Sequence, residues 1–408
     1  MKLSSILHIN IFTLILTHFL WGFVNYVYQI QIQPYFLSIY GTIPETAELL
    51  GIILSIGTLS AVIPLLFGFS ADRFGRKRFI LFGLILSIIG LIGLSTTEPD
   101  IIVIVGGIIT FNLGIGFYDP PLQGLIHEST NAKQGTAFSL VYNSASIAGI
   151  LASLLIQIQG SFAINLQFLL SCLVLIISSI INLIFLRDLK PNSKVIRFPL
   201  VKILKENHSR LIVVAFLLDA LSWGLALSIA NGIFIILLGV DVTFIARLIF
   251  IETVLLVIFQ YPAGFAVDRY GRFFGLIVGE LSGLCWIVLT LVAVLDPENQ
   301  LSLDLLILAF IALGVSIAFW RPAITMSFIS IDPSAASTNF GILAFISRMG
   351  WVPTAAIAGF IFSLFGYPPL LGITLIGTII VTGVLYKIDR LETKLKTDLS
   401  QNNITHNL

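Results

Sequence analysis

The chain has 408 residues, of which 57% are hydrophobic and only 11% charged, and its mean hydropathy is +1.03. Soluble domains carry roughly 25% charged residues, so a soluble enzyme or soluble scaffold is excluded and a multi-pass membrane protein is the class that fits. A net charge of +1 argues against a nucleic-acid partner.

Met1-Lys2 and the apolar stretch from Ile11 resemble a signal peptide, but the run continues past Trp21 to Tyr28 with no small-residue cleavage site. A first membrane helix is therefore expected near 11–31. Helix 2 follows near 48–70, helix 3 near 79–97, helix 4 near 101–126, helix 5 near 136–158 and helix 6 near 163–186. A polar stretch, 187–210, breaks the pattern. Helix 7 is expected near 211–238, helix 8 near 243–266, helix 9 near 274–295, helix 10 near 302–329, helix 11 near 337–362 and helix 12 near 367–387, with a polar, mobile tail after Ile388. At about 20 residues per span, twelve spans need roughly 240 residues, which the chain supplies with short loops to spare. Cys172 and Cys285 fall inside apolar runs and read as packing residues.

An even helix count puts both ends on one side of the membrane. Nineteen of the 22 Lys and Arg residues fall on that side; Arg247, Arg321 and Arg348 lie within helices. The opposite loops carry acids: Glu45, Glu48, Glu98, Asp100, Asp241, Asp296, Glu298 and Asp304. The basic face, with both ends, is expected to be cytoplasmic.

One motif occurs twice. Gly68-Phe69-Ser70-Ala71-Asp72-Arg73-Phe74-Gly75-Arg76 and Gly264-Phe265-Ala266-Val267-Asp268-Arg269-Tyr270-Gly271-Arg272 share the frame G-F-x-x-D-R-aromatic-G-R, 196 residues apart. Each stands where a long apolar run gives way to charge and a second run begins, so each reads as a tight hairpin between two membrane helices. Trp21-Gly22 recurs as Trp223-Gly224 and Leu113-Gly114 as Leu313-Gly314, at offsets of 202 and 200. Repetition at matching places implies two homologous halves. The expected units are 1–187, a linker 188–210, a second bundle 211–390 and a tail 391–408.

Within the motif, Gly68 and Gly264 are expected to let two helices approach. Gly75 and Gly271 permit the tight turn. Asp72 and Asp268 can meet the positive end of a helix dipole. A plain positive-inside anchor is the alternative.

Two six-helix halves, a basic central stretch and the paired hairpins resemble the major facilitator superfamily over residues 11–387. The second hairpin departs from the pattern, with Phe273 and Phe274 where the first has Lys77 and Arg78. The proline of helix 5 found in antiporters of that family is absent from Ser146 to Ala152. The resemblance implies that Asp72, Arg73 and Arg76 latch the halves together. It pairs Arg76 with Glu128 at the end of helix 4, and Arg272 with Asp332, while Arg269 completes the second copy. It also implies that helices 1, 4, 7 and 10 line a central cavity.

Ionisable groups inside a span are costly, at about 2.5–3.5 kcal/mol each. They are Asp119, Asp219, Glu252, Glu280, Arg321 and Arg348. Asp119, Asp219 and Arg321 lie about 8–10 residues from the basic face and are expected to meet in one layer. Arg348 and Glu252 form a candidate second pair, and Glu280 has no evident partner. These groups read either as a proton relay and solute-binding set or as structural ion pairs. Trp21, Asn25, Tyr26, Asn112, Tyr118, Tyr142, Asn143, Trp223 and Trp320 supply aromatic and amide surface that suits a partly apolar solute, with ordinary helix packing as the alternative.

A phosphate-binding glycine loop, a zinc helix and a G-x-S-x-G elbow are all missing, so an enzyme is not expected and no cofactor is implied. The expectation is a monomeric, twelve-helix secondary transporter in the cell membrane, proton-coupled and exporting a small solute by alternating access. Its rivals are a proton-coupled importer of an organic anion and a non-transporting sensor or scaffold.

Overall fold

The computed structural model describes residues 3–63, 71, 74–96, 100–129, 134–160, 164–188, 207–299, 301–329 and 336–405. The described residues are almost all helical and contain no strand. In chain order the helices are α1 (Leu3–Tyr40), α2 (Pro44–Val62), α3 (Arg76–Leu94), α4 (Ile101–Glu128), α5 (Gln134–Gln159) and α6 (Ile164–Phe185). The second set begins with α7, which comes in two pieces, α7a (Asn207–Leu227) and α7b (Ala230–Leu238). It continues with α8 (Val242–Tyr270), α9 (Arg272–Leu295), α10 (Leu301–Ile329), α11 (Ala336–Phe365) and α12 (Pro368–Thr405). Among the described residues, twelve helical spans are long and apolar enough to cross a membrane.

The ends of these helices follow local chemistry. Pro44 opens α2, where its missing N–H costs nothing. Asp241 caps α8 by accepting from the backbone N–H of Phe244 at 2.9 Å. Gly75 (φ 100°) and Gly271 (φ 94°) stand immediately before α3 and α9, in backbone conformations that L side chains rarely adopt. Asp188, just past α6, accepts from the backbone N–H of Lys77 at 2.9 Å and so caps the first turn of α3.

Two expectations need correction. Span 7 is broken at Ser228 and Ile229 rather than continuous. The reason is a side chain from the other half. In an unbroken helix the Gly232 N–H would donate to the Ser228 carbonyl. Instead it donates to Gln33 Oε1 at 2.7 Å, and Gln33 Nε2 donates to the Ser228 carbonyl at 3.0 Å. The amide of Gln33 is thus spliced into the hydrogen-bond ladder of α7. At the other end of the chain, α12 continues as helix to Thr405 where a mobile tail is expected. Leu, Lys and Glu after Arg390 all favour helix.

The helices form two pseudo-symmetric six-helix bundles. In the first, α1 packs on α5 and α6, α2 on α4, and α3 on α4 and α6; in the second, α7a packs on α11 and α12, α8 on α10, and α9 on α10 and α12. Between bundles the equivalent seams are α2 on α11 and α5 on α8. The lipid-facing surface is apolar, as on α6, where Leu173, Ile176, Ile177, Ile180 and Leu183 are exposed. A bilayer gives no hydrophobic drive for helices to associate, so small residues and polar contacts set the seams.

Candidate functional site

At the acidic face the two halves are closed onto each other. Backbone meets backbone between α2 and α11, where a Cβ on Gly51 would overlap the Ala355 carbonyl and one on Gly359 would overlap that of Ala47. Ser55 Oγ accepts from the backbone N–H of Ala356 at 2.9 Å. The Gln33 splice ties α1 to α7 on the same face. All of these contacts lie in the parts of their helices nearest the acidic loops.

Deeper in the membrane the halves meet through charge. Arg348 Nη2 of α11 donates to Asp119 Oδ2 of α4 at 3.1 Å, and the two side chains remain 26% and 29% exposed. Arg321 of α10 is exposed and acts electrostatically on Glu252 of α8. Tyr142 of α5 lies within reach of both Asp119 and Arg321. Tyr26 of α1 hydrogen-bonds with Ser146 of α5 and Thr253 of α8, and lies close to Arg321 and Glu252. Asn25, next to it, is half-buried. Two acids and two arginines, drawn from both halves and joined by tyrosines, therefore make one charge-balanced layer.

The partners differ from those expected. Arg348 pairs with Asp119 across the halves and not with Glu252, because α11 faces α4 at this depth. Asp219 does not join Arg321. It is buried (4% exposed) against Glu280 (1% exposed), with which it hydrogen-bonds. Trp223 Nε1 donates to Glu280 Oε2 at 3.4 Å, and Trp320 also hydrogen-bonds to Glu280. Glu280 thus has three partners where none is evident in the sequence.

The aromatic candidates divide. Trp21 is buried against Tyr118 (4.5 Å between ring centres) and Phe111, inside the first bundle. Trp223 is buried against Trp286 in the second. Trp320 is half-buried and meets Phe216 edge-on. Trp21 and Trp223 are packing residues first, because indole rings on helices 1 and 7 turn inward to fill their own bundles.

Of the first hairpin, Gly68, Asp72 and Arg73 lie outside the described residues, as does Asp332. Arg76 is buried, forms an ion pair with Glu128 and donates to the Gly124 carbonyl at 2.9 Å, fixing α3 to the end of α4. Arg272 repeats this in the second half by donating to the Ser327 carbonyl of α10 at 3.4 Å. Asp268 and Arg269 are exposed, and Arg269 stacks over Tyr270. Gly264 makes no close approach, since a Cβ there would meet nothing within 4 Å.

Residues 14–352 match the family described as Major Facilitator Superfamily. This chain belongs to that superfamily. Membership makes it a secondary transporter and not an enzyme. Solved structures share the fold at low identity. The POT family transporter PepTSo is 15% identical, with a TM-score of 0.75 over 93% of this chain and 98% of that one. A D-xylose-proton symporter is 15% identical, with a TM-score of 0.72 over 93% and 98%. The nucleoside transporter NupG is 16% identical, with a TM-score of 0.69 over 95% and 100%. A search of curated proteins returned no match.

Proposed function

We propose that this superfamily member is a proton-coupled exporter of a small, partly apolar solute, working as a monomer in the cell membrane with both ends cytoplasmic. The moving units are residues 1–187 and 211–390, joined by 188–210, with 391–408 as a cytoplasmic tail. The observation that carries the reading is the Asp119–Arg348 pair, which joins the halves in mid-membrane while the acidic face is closed. A solute entering from the basic face meets Asp119, Arg348, Arg321, Glu252, Tyr26 and Asn25. It competes for the ion pair, and separation of that pair frees the halves to rock. Asp119 or Glu252, once its arginine is displaced, takes a proton in the low-dielectric layer, which links proton movement to solute movement. The likeness in fold to a transporter titled a proton symporter is consistent with this coupling.

A second reading rests on the two arginines of the charge layer. Arg321 and Arg348 can offer planar, paired donors to a carboxylate, which suits a proton-coupled importer of an organic anion.

The test is a thermal-shift screen of purified protein against lipophilic cations, organic anions and sugars, because a bound ligand raises apparent stability by mass action. Hits are then followed by flux in proteoliposomes under an imposed pH gradient. Stabilisation by lipophilic cations, with flux driven outward by protons, supports export. Stabilisation by organic anions, lost in Arg348→Gln, supports the importer. No stabilisation and no flux for any of the three classes removes both readings.

A further inference from the structure

We infer that Asp219 and Glu280 form a proton-binding site of their own, a carboxyl pair contributed by α7 and α9 that shares a proton inside the second bundle, apart from the Asp119–Arg348 layer. The inference deepens the proton-coupled reading and rests on it for any role in transport, but the site stands on its own geometry.

Asp219 stands one turn before Trp223 on α7, Trp223 donates to Glu280 of α9, and the two acids face each other while almost fully buried. Two carboxylates cannot hydrogen-bond to each other, so a bond between the facing acids requires a proton. Asp219 Oδ1 and Glu280 Oε1 each lack a donor from the described residues. Leaving both acids ionised would bury two adjacent negative charges, a state that carboxyl pairs avoid by retaining a proton. The surroundings add donors. Trp223 of α7 and Trp320 of α10 both direct indole N–H groups to Glu280. The absence of a side chain at Gly283 leaves room for the Trp223 ring.

The charged groups on the neighbouring helices are engaged elsewhere. Arg348 of α11 holds Asp119. Arg321 of α10 acts on Glu252. Arg272 at the start of α9 donates to Ser327. On α12, Lys387, Asp389 and Arg390 stand at the basic end, where Arg390 stacks over Tyr386. Each acid of the pair thus has the other as a titratable partner.

The pair is also placed to sense movement. Asp219 lies on α7, the helix that carries the Gln33 splice. Trp320 precedes Arg321 of the charge layer. A shift of α7 or α10 relative to α9 separates the carboxyls from each other or from their indole donors. The shared proton then passes to water and leaves two carboxylates. Return of the helices requires uptake of one proton.

Infrared titration of full-length protein in lipid nanodiscs tests this with protons as the only ligand. Water-exposed carboxyls ionise near pH 4. At pH 7 the wild type is expected to retain the C=O stretch of a buried carboxylic acid, shifting on transfer to heavy water. Asp219→Asn and Glu280→Gln each supply an amide N–H in place of the proton. Each keeps the hydrogen bond and the fold, and each is expected to lose one acid signal, while Glu252→Gln keeps it. Absence of the acid band from the wild type overturns the proposal, as does its persistence in both amide variants. Because no solute is used, a failed flux experiment leaves this result unaffected.

Discussion

Asp119 and Arg348 give the most direct test at the level of single side chains. Asp119→Asn leaves the guanidinium of Arg348 in mid-membrane with a neutral partner. Since the pair is about a quarter exposed, the cost to be expected is about 1–3 kcal/mol, below that of breaking a fully buried pair. The double variant Asp119→Asn/Arg348→Gln should recover most of it, which a double-mutant cycle on thermal stability in detergent measures. Recovery of none would mean that the two side chains are not energetically coupled. Asp241 offers a pH-dependent counterpart outside the membrane. Burial works against its ionised form, but the Thr243 hydroxyl and the backbone N–H groups of Phe244 and Thr243 outweigh that and hold its carboxyl below the usual carboxylate range. Its contribution is therefore complete above about pH 4 and is lost as pH falls through the lowered folded value. Asp241→Ala should cost about 1 kcal/mol at pH 7, and the difference from wild type should shrink in acid. The sequence marks Asp119, Asp219, Glu252, Glu280, Arg321 and Arg348 inside the spans but not who meets whom. Chain position gives depth at about 1.5 Å per residue. It does not give the direction in which each side chain points around its helix. That missing angle is why Arg348 was expected beside Glu252, and why Glu280 had no expected partner.

Among the helices, the informative seam is α2 on α11. Gly51→Val or Gly359→Val inserts carbon where a carbonyl already stands, while leaving the packing within each bundle untouched. Both variants should insert and fold but hold the acidic face open. A cysteine placed at Asn25 should then react several-fold faster with an impermeant reagent added from that side. Unchanged labelling would place the closure elsewhere. Gln33→Ala should act in the same direction by orphaning the Ser228 carbonyl and the Gly232 amide, at a cost of about 1–3 kcal/mol to the closed form. Span positions were legible because twelve apolar runs of the right length are hard to hide. Pairing of the halves was legible from the repeated hairpin. The break in α7 was not, because nothing between Ser228 and Gly232 interrupts a helix by itself. Its cause is a glutamine 195 residues earlier, and a contact at that separation has no local signature.

For the whole molecule, the two bundles repeat the same pairings, so what is found in one half predicts its counterpart. Arg76 braces α3 on α4 and Arg272 braces α9 on α10. The first brace includes a carboxylate, Glu128, so Glu128→Gln should loosen the first half. Limited proteolysis of the two halves compares them. Topology is checked by labelling single cysteines at Glu298 and Lys194 in intact cells. Glu298 should react from outside and Lys194 only after permeabilisation, and the reverse pattern would invert the orientation. The splice at Gln33 has a further consequence for the balance between open and closed forms. Opening the acidic face withdraws a side-chain amide from two backbone groups, and in the open form only water can replace it there. Each opening event therefore takes up solvent. Osmolytes excluded from protein surfaces should bias the population towards closure, making the transporter's working cycle sensitive to the water activity at the acidic face.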